Sequence, residues 1–174
     1  MSVKEFVLKK LEENRGIPLS GEAIANSLSV SRAAVWKAVR ALEAEGYHIE
    51  AVPNQGYTLC TDNDLLSTQG ILPYLNPPLK SREIRVFPCL PSTNQEAKRM
   101  ALESAEQGSA VLAEEQSAGR GRLGRSFFSP RGNGLYMSVI LRPKADVSNA
   151  VLITTAAAVG VCRAIDMVTG RHPQ

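Results

Sequence analysis

Aromatic residues make up only 5% of this 174-residue sequence, and Trp36 is its only tryptophan. Cysteine is scarcer: Cys60, Cys89 and Cys162 are odd in number, far apart, and form no CxxC or other metal-ligand spacing. That argues against a disulfide scaffold and for reduced thiols in a cytosolic protein. No Gly-Lys-Ser/Thr occurs, so there is no P-loop. The N-terminus, "MSVKEFVLKKLEEN", mixes acids and bases and lacks the apolar run of a signal peptide. No uninterrupted apolar stretch approaches the ~20 residues of a membrane span. The expectation is a cytoplasmic chain with no membrane partner. At 44% hydrophobic and 21% charged residues it reads as globular, and its net charge of +3 does not by itself imply a nucleic-acid partner.

One absence is local. No Asp or Glu occurs from Gln116 to Ala145, a stretch that holds Arg120, Arg122, Arg125, Arg131, Arg142 and Lys144. Such a cationic strip suits an anion. Within it, "SAGRGRLGR" (117–125) fits G-x-G-x-x-G literally, and Asp146 lies about 20 residues on, where a ribose-binding acid is sought. A dinucleotide site needs a helix N-terminus directly after the glycines. Here "RSFFSPRGNG" follows, and Pro130, Gly132 and Gly134 oppose a helix. A disordered tail is opposed by the apolar strands on either side. What remains is an internal loop whose glycines admit close backbone approach and whose arginines grip phosphate or carboxylate. Such a loop can fold over an anionic ligand and exclude water.

The rest of the chain reads as two parts. Val3, Phe6, Val7 and Leu11 make a helical stripe, and a short helix follows over about 21–28, with Ala23, Ile24 and Leu28 on one side. Ser31 is placed to cap a third helix through about Glu45, with Val35, Val39 and Leu42 buried and Gly46 ending it. "YHIEAV", "PNQG" and "YTL" read as strand, turn and strand. Three helices and a hairpin are the plan of a winged helix-turn-helix, whose third helix enters the DNA major groove. Ser31, Arg32, Ala33, Trp36, Lys37 and Arg40 lie mostly off the apolar stripe, on the face available to DNA. Against this, surface Lys and Arg are usually just solvated, and residues 1–50 hold seven bases against seven acids.

"CTDNDLL" (60–66) reads as a hinge. Beyond it the pattern predicts a helix near 65–75, "NPPLKS" as a loop, a strand over 84–89 and a helix over 93–104. The strand "SAVLAEE", the Gly/Arg loop, the strand "GLYMSVILR" and a helix over 147–168 follow. This order suggests an α+β sheet with helices on one face.

"SRAAVWKAVRALEAEGYHIEAVPNQGYTL", "STNQEA", "EQSAGRGRLGR" and "GLYMS", in that order over nearly the whole chain, closely resemble bifunctional biotin protein ligases. These are biotin–[acetyl-CoA-carboxylase] ligases whose N-terminal winged helix also represses biotin operons. The resemblance implies an α+β protein: a winged helix-turn-helix DNA-binding domain (1–62), then an incomplete class-II-synthetase-like mixed α/β ligase domain (63–174). It implies that Ser92, Thr93, Asn94 and Gln116 hold biotin's ureido ring and neighbouring atoms. Arg120, Gly121 and Arg122 match the loop that closes over biotin and the adenylate. The implied reaction joins biotin to ATP, with Mg²⁺ but no tightly bound metal, to give biotinyl-5′-AMP. It then passes biotin to a lysine of the biotin carrier domain of acetyl-CoA carboxylase. Operator DNA, and a homodimer in the adenylate-bound state, are the other implied partners.

Plainer roles compete. Ser92 or Thr93 can simply cap the helix that starts there. Tyr136 and Met137 read as sheet packing, and Phe127, where many relatives have Trp, as packing under the loop.

The family's Lys-Trp-Pro-Asn-Asp motif, whose lysine contacts the reacting carboxylate and phosphate, is absent: no Lys follows Lys144. The small C-terminal β-barrel of relatives is absent too. The expectation is an N-terminal fragment of a ligase, with its catalytic lysine beyond Gln174. Unpaired sheet edges, exposed apolar surface and little or no ligase activity should follow. The alternative is a DNA-binding regulator without ligase activity.

Overall fold

The computed structural model describes residues 1–143 and 150–173. Met1–Ile140 form one compact unit and Leu141–Gln174 a second.

The first unit opens with α1 (Val3–Glu13), α2 (Gly21–Leu28) and α3 (Arg32–Ala44), each started by a serine. Ser2, Ser20 and Ser31 accept hydrogen bonds from the backbone N–H of Glu5, Ala23 and Ala34, which relieves donors with no intrahelical partner. Gly46, at φ 98°, follows the end of α3. Val35, Ala38, Val39 and Leu42 of α3 pack on Val7, Leu8, Leu11 and Ile24 to form the first core. Each such large apolar side chain contributes about 1.5–3 kcal/mol through its burial.

β1 (Ile49–Val52) and β2 (Gly56–Leu59) form the antiparallel hairpin, with Ile49 opposite Leu59. Leu19 adds a third short rung by exchanging backbone hydrogen bonds with Tyr57. Gly56 sits at φ 109°, and a Cβ there would lie 1.9 Å from the Leu19 carbonyl oxygen, so this corner requires glycine.

The 60–66 segment is fastened to α1. Asn63 is buried, its carbonyl accepts from Arg15, and Leu65 packs on the first core. The helix expected near 65–75 is shorter: α4 (Thr68–Ile71), capped by Ser67, runs into a 3-10 turn at Leu72–Tyr74 that contains Pro73. The "NPPLKS" loop contains a helical turn instead, α5 (Pro77–Lys80). Prolines in a first turn lose no hydrogen bond and arrive with helical φ, which the loop reading overlooked.

β3 (Ile84–Phe87), β4 (Ala110–Ala113) and β5 (Tyr136–Val139) form one sheet in that order, β3 parallel and β5 antiparallel to β4. α6 (Thr93–Leu102) links β3 to β4 and covers one face, where Ala97 and Met100 meet Val111, Ala113 and Ile140. This is the mixed sheet the element order suggested. β5 is an outer strand of this sheet, and its Met137 and Val139 are exposed.

In the second unit, α7 (Ala150–Thr169) takes up most of the helix expected over 147–168; residues 147–149, like Lys144, lie outside the described residues. Among the described residues, Val151–Thr169 is the one helix long and apolar enough, by length and composition, to cross a membrane. Arg163 and Asp166 lie within it, so it is not an uninterrupted apolar run.

Candidate functional site

Parallel pairing of β3 with β4 brings the start of α6 beside the end of β4. Ser92 holds the N-cap position of α6, yet its side chain makes no capping hydrogen bond, so the simple capping role does not hold for it. Thr93 does not cap either: its backbone N–H and Oγ1 both donate to Gln116 Oε1, at 2.9 and 3.2 Å. Ser92 and Thr93 are both buried; Asn94, on the first turn, is exposed.

The bonds continue in both directions. Ser138 Oγ on β5 donates to Thr93 Oγ1 at 3.0 Å, Gln116 Nε2 donates to Ser129 Oγ at 3.0 Å, and Ser129 Oγ donates to the Phe127 carbonyl at 3.1 Å. One relay therefore joins β5, α6, the end of β4 and the far limb of the Gly/Arg loop. Ser129 and Ser138 were not singled out from the sequence, although Ser138 closes the "GLYMS" segment. Gln116 is also pinned by its backbone, pairing with Ser129 on one side and bridging Leu90 on the other.

The loop leaves this relay as a tight hairpin. Gly119 accepts from Phe127 N–H at 2.8 Å, Gly121 N–H donates to the Arg125 carbonyl at 2.8 Å, and Arg122–Gly124 form a 3-10 turn at the tip. No helix follows the glycines, in keeping with the rejection of a dinucleotide turn. Gly119 is buried, and a Cβ on it would lie 2.3 Å from the Phe127 carbonyl oxygen and 2.6 Å from Ser129 Oγ. Arg120 and Arg125 are exposed and make no ion pair among the described residues. Arg131 departs from the expected cationic strip by pairing with Glu114 at 3.3 Å. Phe127, expected beneath the loop, is 56% exposed, because its backbone and not its ring holds the hairpin. Tyr136 packs as expected and donates its hydroxyl to the Pro130 carbonyl; Met137 points to the uncovered face and is exposed.

A second surface lies on α3. Arg32, Ala33, Trp36, Lys37 and Arg40 are all exposed at helical spacing, and Ser31 caps the same helix. Arg40 lies 5.6 Å from the Trp36 ring centroid and bonds Glu43 at 3.0 Å, so its charge is partly engaged. Arg32 and Lys37 have no ion pair among the described residues, and Arg32 borders the depression beside the β1–β2 turn.

A helix-turn-helix with a wing, followed in the same chain by a mixed sheet bearing a hydroxyl–amide relay and an arginine hairpin, defines a protein with a DNA-binding fold and a ligase-type domain. Residues 3–58 match the model of an HTH domain, and residues 86–173 match that of the biotin/lipoate A/B protein ligase family. The chain belongs to the biotin/lipoate A/B protein ligase family. It is 38% identical over 152 residues to the bifunctional ligase/repressor BirA of Bacillus subtilis (strain 168), covering 87% of this chain and 47% of that protein. With BirA of Escherichia coli (strain K12) the identity is 38% over 123 residues, 71% of this chain and 37% of that protein. Among solved structures, biotin protein ligase from Leishmania major in complex with biotinyl-5-AMP is 29% identical at a TM-score of 0.42, over 54% of this chain and 36% of that chain. The chain spans about half the length of the curated relatives it matches.

Proposed function

We propose that these residues belong to a cytoplasmic biotin protein ligase that is also a biotin-responsive repressor, with a DNA-binding part over 1–62 and a ligase part over 63–174. The observation that carries the reading is the Ser138–Thr93–Gln116–Ser129 relay, which ties the base of the arginine hairpin to the start of α6. Its amide and hydroxyl groups suit biotin's ureido ring, which both donates and accepts hydrogen bonds. Thr93, Gln116, Ser92 and Asn94 line that end, and the Arg120–Gly121–Arg122 limb provides the cover. Biotin's carboxylate oxygen attacks the α-phosphorus of ATP and pyrophosphate leaves. The carrier lysine's amine then attacks the acyl carbon and AMP leaves. Arginine charge near the phosphate stabilises the charge that builds there, and a closed hairpin keeps water from the mixed anhydride. The relay supplies no carboxylate, so Mg²⁺ enters as the ATP complex. Operator DNA meets α3 and the wing; the biotin carrier domain is the acceptor; dimerisation accompanies adenylate binding.

The test pairs biotin titration by calorimetry with biotin-dependent exchange of labelled pyrophosphate into ATP. Because these residues lack the Lys-Trp-Pro-Asn-Asp lysine, the chain is expected to bind biotin yet exchange at background, and Gln116→Ala is expected to abolish the binding. A folded chain that ignores biotin overturns the biotin-binding role of the relay. Exchange above background overturns the requirement for that lysine.

A further inference from the structure

His48, Glu50 and Cys60 lie where the hairpin joins the rest of the winged helix. Cys60 N–H donates to the His48 carbonyl at 2.9 Å, which extends the β1–β2 ladder one step past Ile49 and Leu59 and sets the two residues opposite each other. Glu50, two residues on from His48, shares its face of the pleat. One potential ligand atom from each of the three lies within 4.8 Å of the others. Four-coordinate zinc, with bonds of about 2.0–2.3 Å, sets its ligand atoms roughly 3.3–3.8 Å apart, so small side-chain rotations close the gap. A fourth residue completes the arrangement: Asp62 Oδ1 lies 3.2 Å from His48 Nδ1. A carboxylate on one ring nitrogen orients a histidine whose other nitrogen binds metal.

We propose that His48, Glu50 and Cys60 form a site for a divalent transition-metal ion of the zinc type, with Asp62 orienting the histidine. The donor set is thiolate, imidazole and carboxylate, the mixture that favours zinc over magnesium or calcium. Three protein ligands leave a fourth position for water, and the exposure of His48 and Glu50 gives the ion a path in. Burial, with Glu50 and Asp62 adding negative charge, pushes the Cys60 thiol above its ordinary value. A dication reverses that balance: it binds the sulfur as thiolate and one proton leaves to solvent. The ion would then cross-link both ends of the hairpin at its base. The separation of the three cysteines in sequence hid this site, because its ligands come from adjacent strands.

The test uses the reduced full chain, freed of metal by chelation and titrated with Co²⁺ and then Zn²⁺. One equivalent of Co²⁺ is expected to produce a near-ultraviolet thiolate-to-cobalt absorption that Zn²⁺ displaces. Cys60→Ser is expected to remove the band. Glu50→Gln and Asp62→Asn, both at exposed positions, are expected to weaken binding about tenfold or more. No thiolate band from the folded chain, or a band that survives Cys60→Ser because Cys89 or Cys162 supplies the sulfur, overturns the site. So does binding unchanged in both carboxylate variants.

Discussion

At the scale of single residues, the hairpin rests on one position without a side chain. Gly119 is enclosed by the Phe127 carbonyl and Ser129 Oγ, and both of those neighbours are themselves hydrogen-bonded. Gly119→Ala therefore cannot be absorbed by a rotamer change; backbone must move. The expected cost is about 1–3 kcal/mol of local stability, the usual range for overpacking. Hydrogen exchange at Phe127 and Gly121 should accelerate while that of β4 stays slow. By contrast, Gly124, with nothing near its Cβ position, has only its φ of 76° to protect it. The need for glycines was legible in "GRGRLGR", but not which glycine is enclosed. Thr93 and Gln116 were likewise legible as part of a motif. Ser129 and Ser138 were not: their partners lie 13 and 45 residues away, and only strand pairing brings them together.

At the scale of elements, local rules served well wherever chain neighbours decide the outcome. The three serine-led helices and the Gly56 corner carry their own signals, so the winged helix was readable almost to its ends. They failed at α5, which reads as a loop in sequence although its prolines stand in a first helical turn. α3 yields a prediction that separates a DNA-contacting face from a merely solvated one. If Arg32 and Lys37 meet phosphates, each alanine variant lowers affinity across all sequences and reduces the slope of log K against log salt by about 1. Arg40→Ala should do less, since Glu43 and Trp36 already engage that charge. Fluorescence anisotropy with a duplex at several salt concentrations measures this, and unchanged slopes for Arg32 and Lys37 would leave α3 a solvated surface. On α6, Glu96 is held below its ordinary value of 4.5, chiefly by Arg99 and then by Arg85. A carboxylate depressed in the folded state contributes stability that is complete above that ordinary value and fades as pH falls through the folded one. Denaturant midpoints of the native chain should thus fall below pH 4.5, and Glu96→Gln should flatten that part of the profile.

At the scale of the molecule, the first unit contains two separate cores, one in the winged helix and one between α6 and the sheet. α1 belongs to the first core, and its last turn presents Glu12 with its side chain 2% exposed. Arg15 bonds Glu12 at 2.6 Å and, with another nitrogen, the Asn63 carbonyl at 2.6 Å, so one guanidinium pairs a buried charge and ties down the segment leading to the sheet. Removing one partner of a buried pair leaves an uncompensated charge and costs about 3–5 kcal/mol, whereas replacing both with apolar groups is often near neutral. Arg15→Ala should therefore destabilise the chain by roughly that amount, and Glu12→Leu with Arg15→Met should recover most of it. The pair also bears on cooperativity. In the native chain, hydrogen exchange of α3 and of β4 should respond to denaturant together, reporting one opening reaction. In Arg15→Ala the two should separate, because each core retains its own contacts while the fastening at Asn63 is lost. If they still open together, the coupling lies in the packing of α1 on α4 instead, and Arg15 serves only to neutralise Glu12.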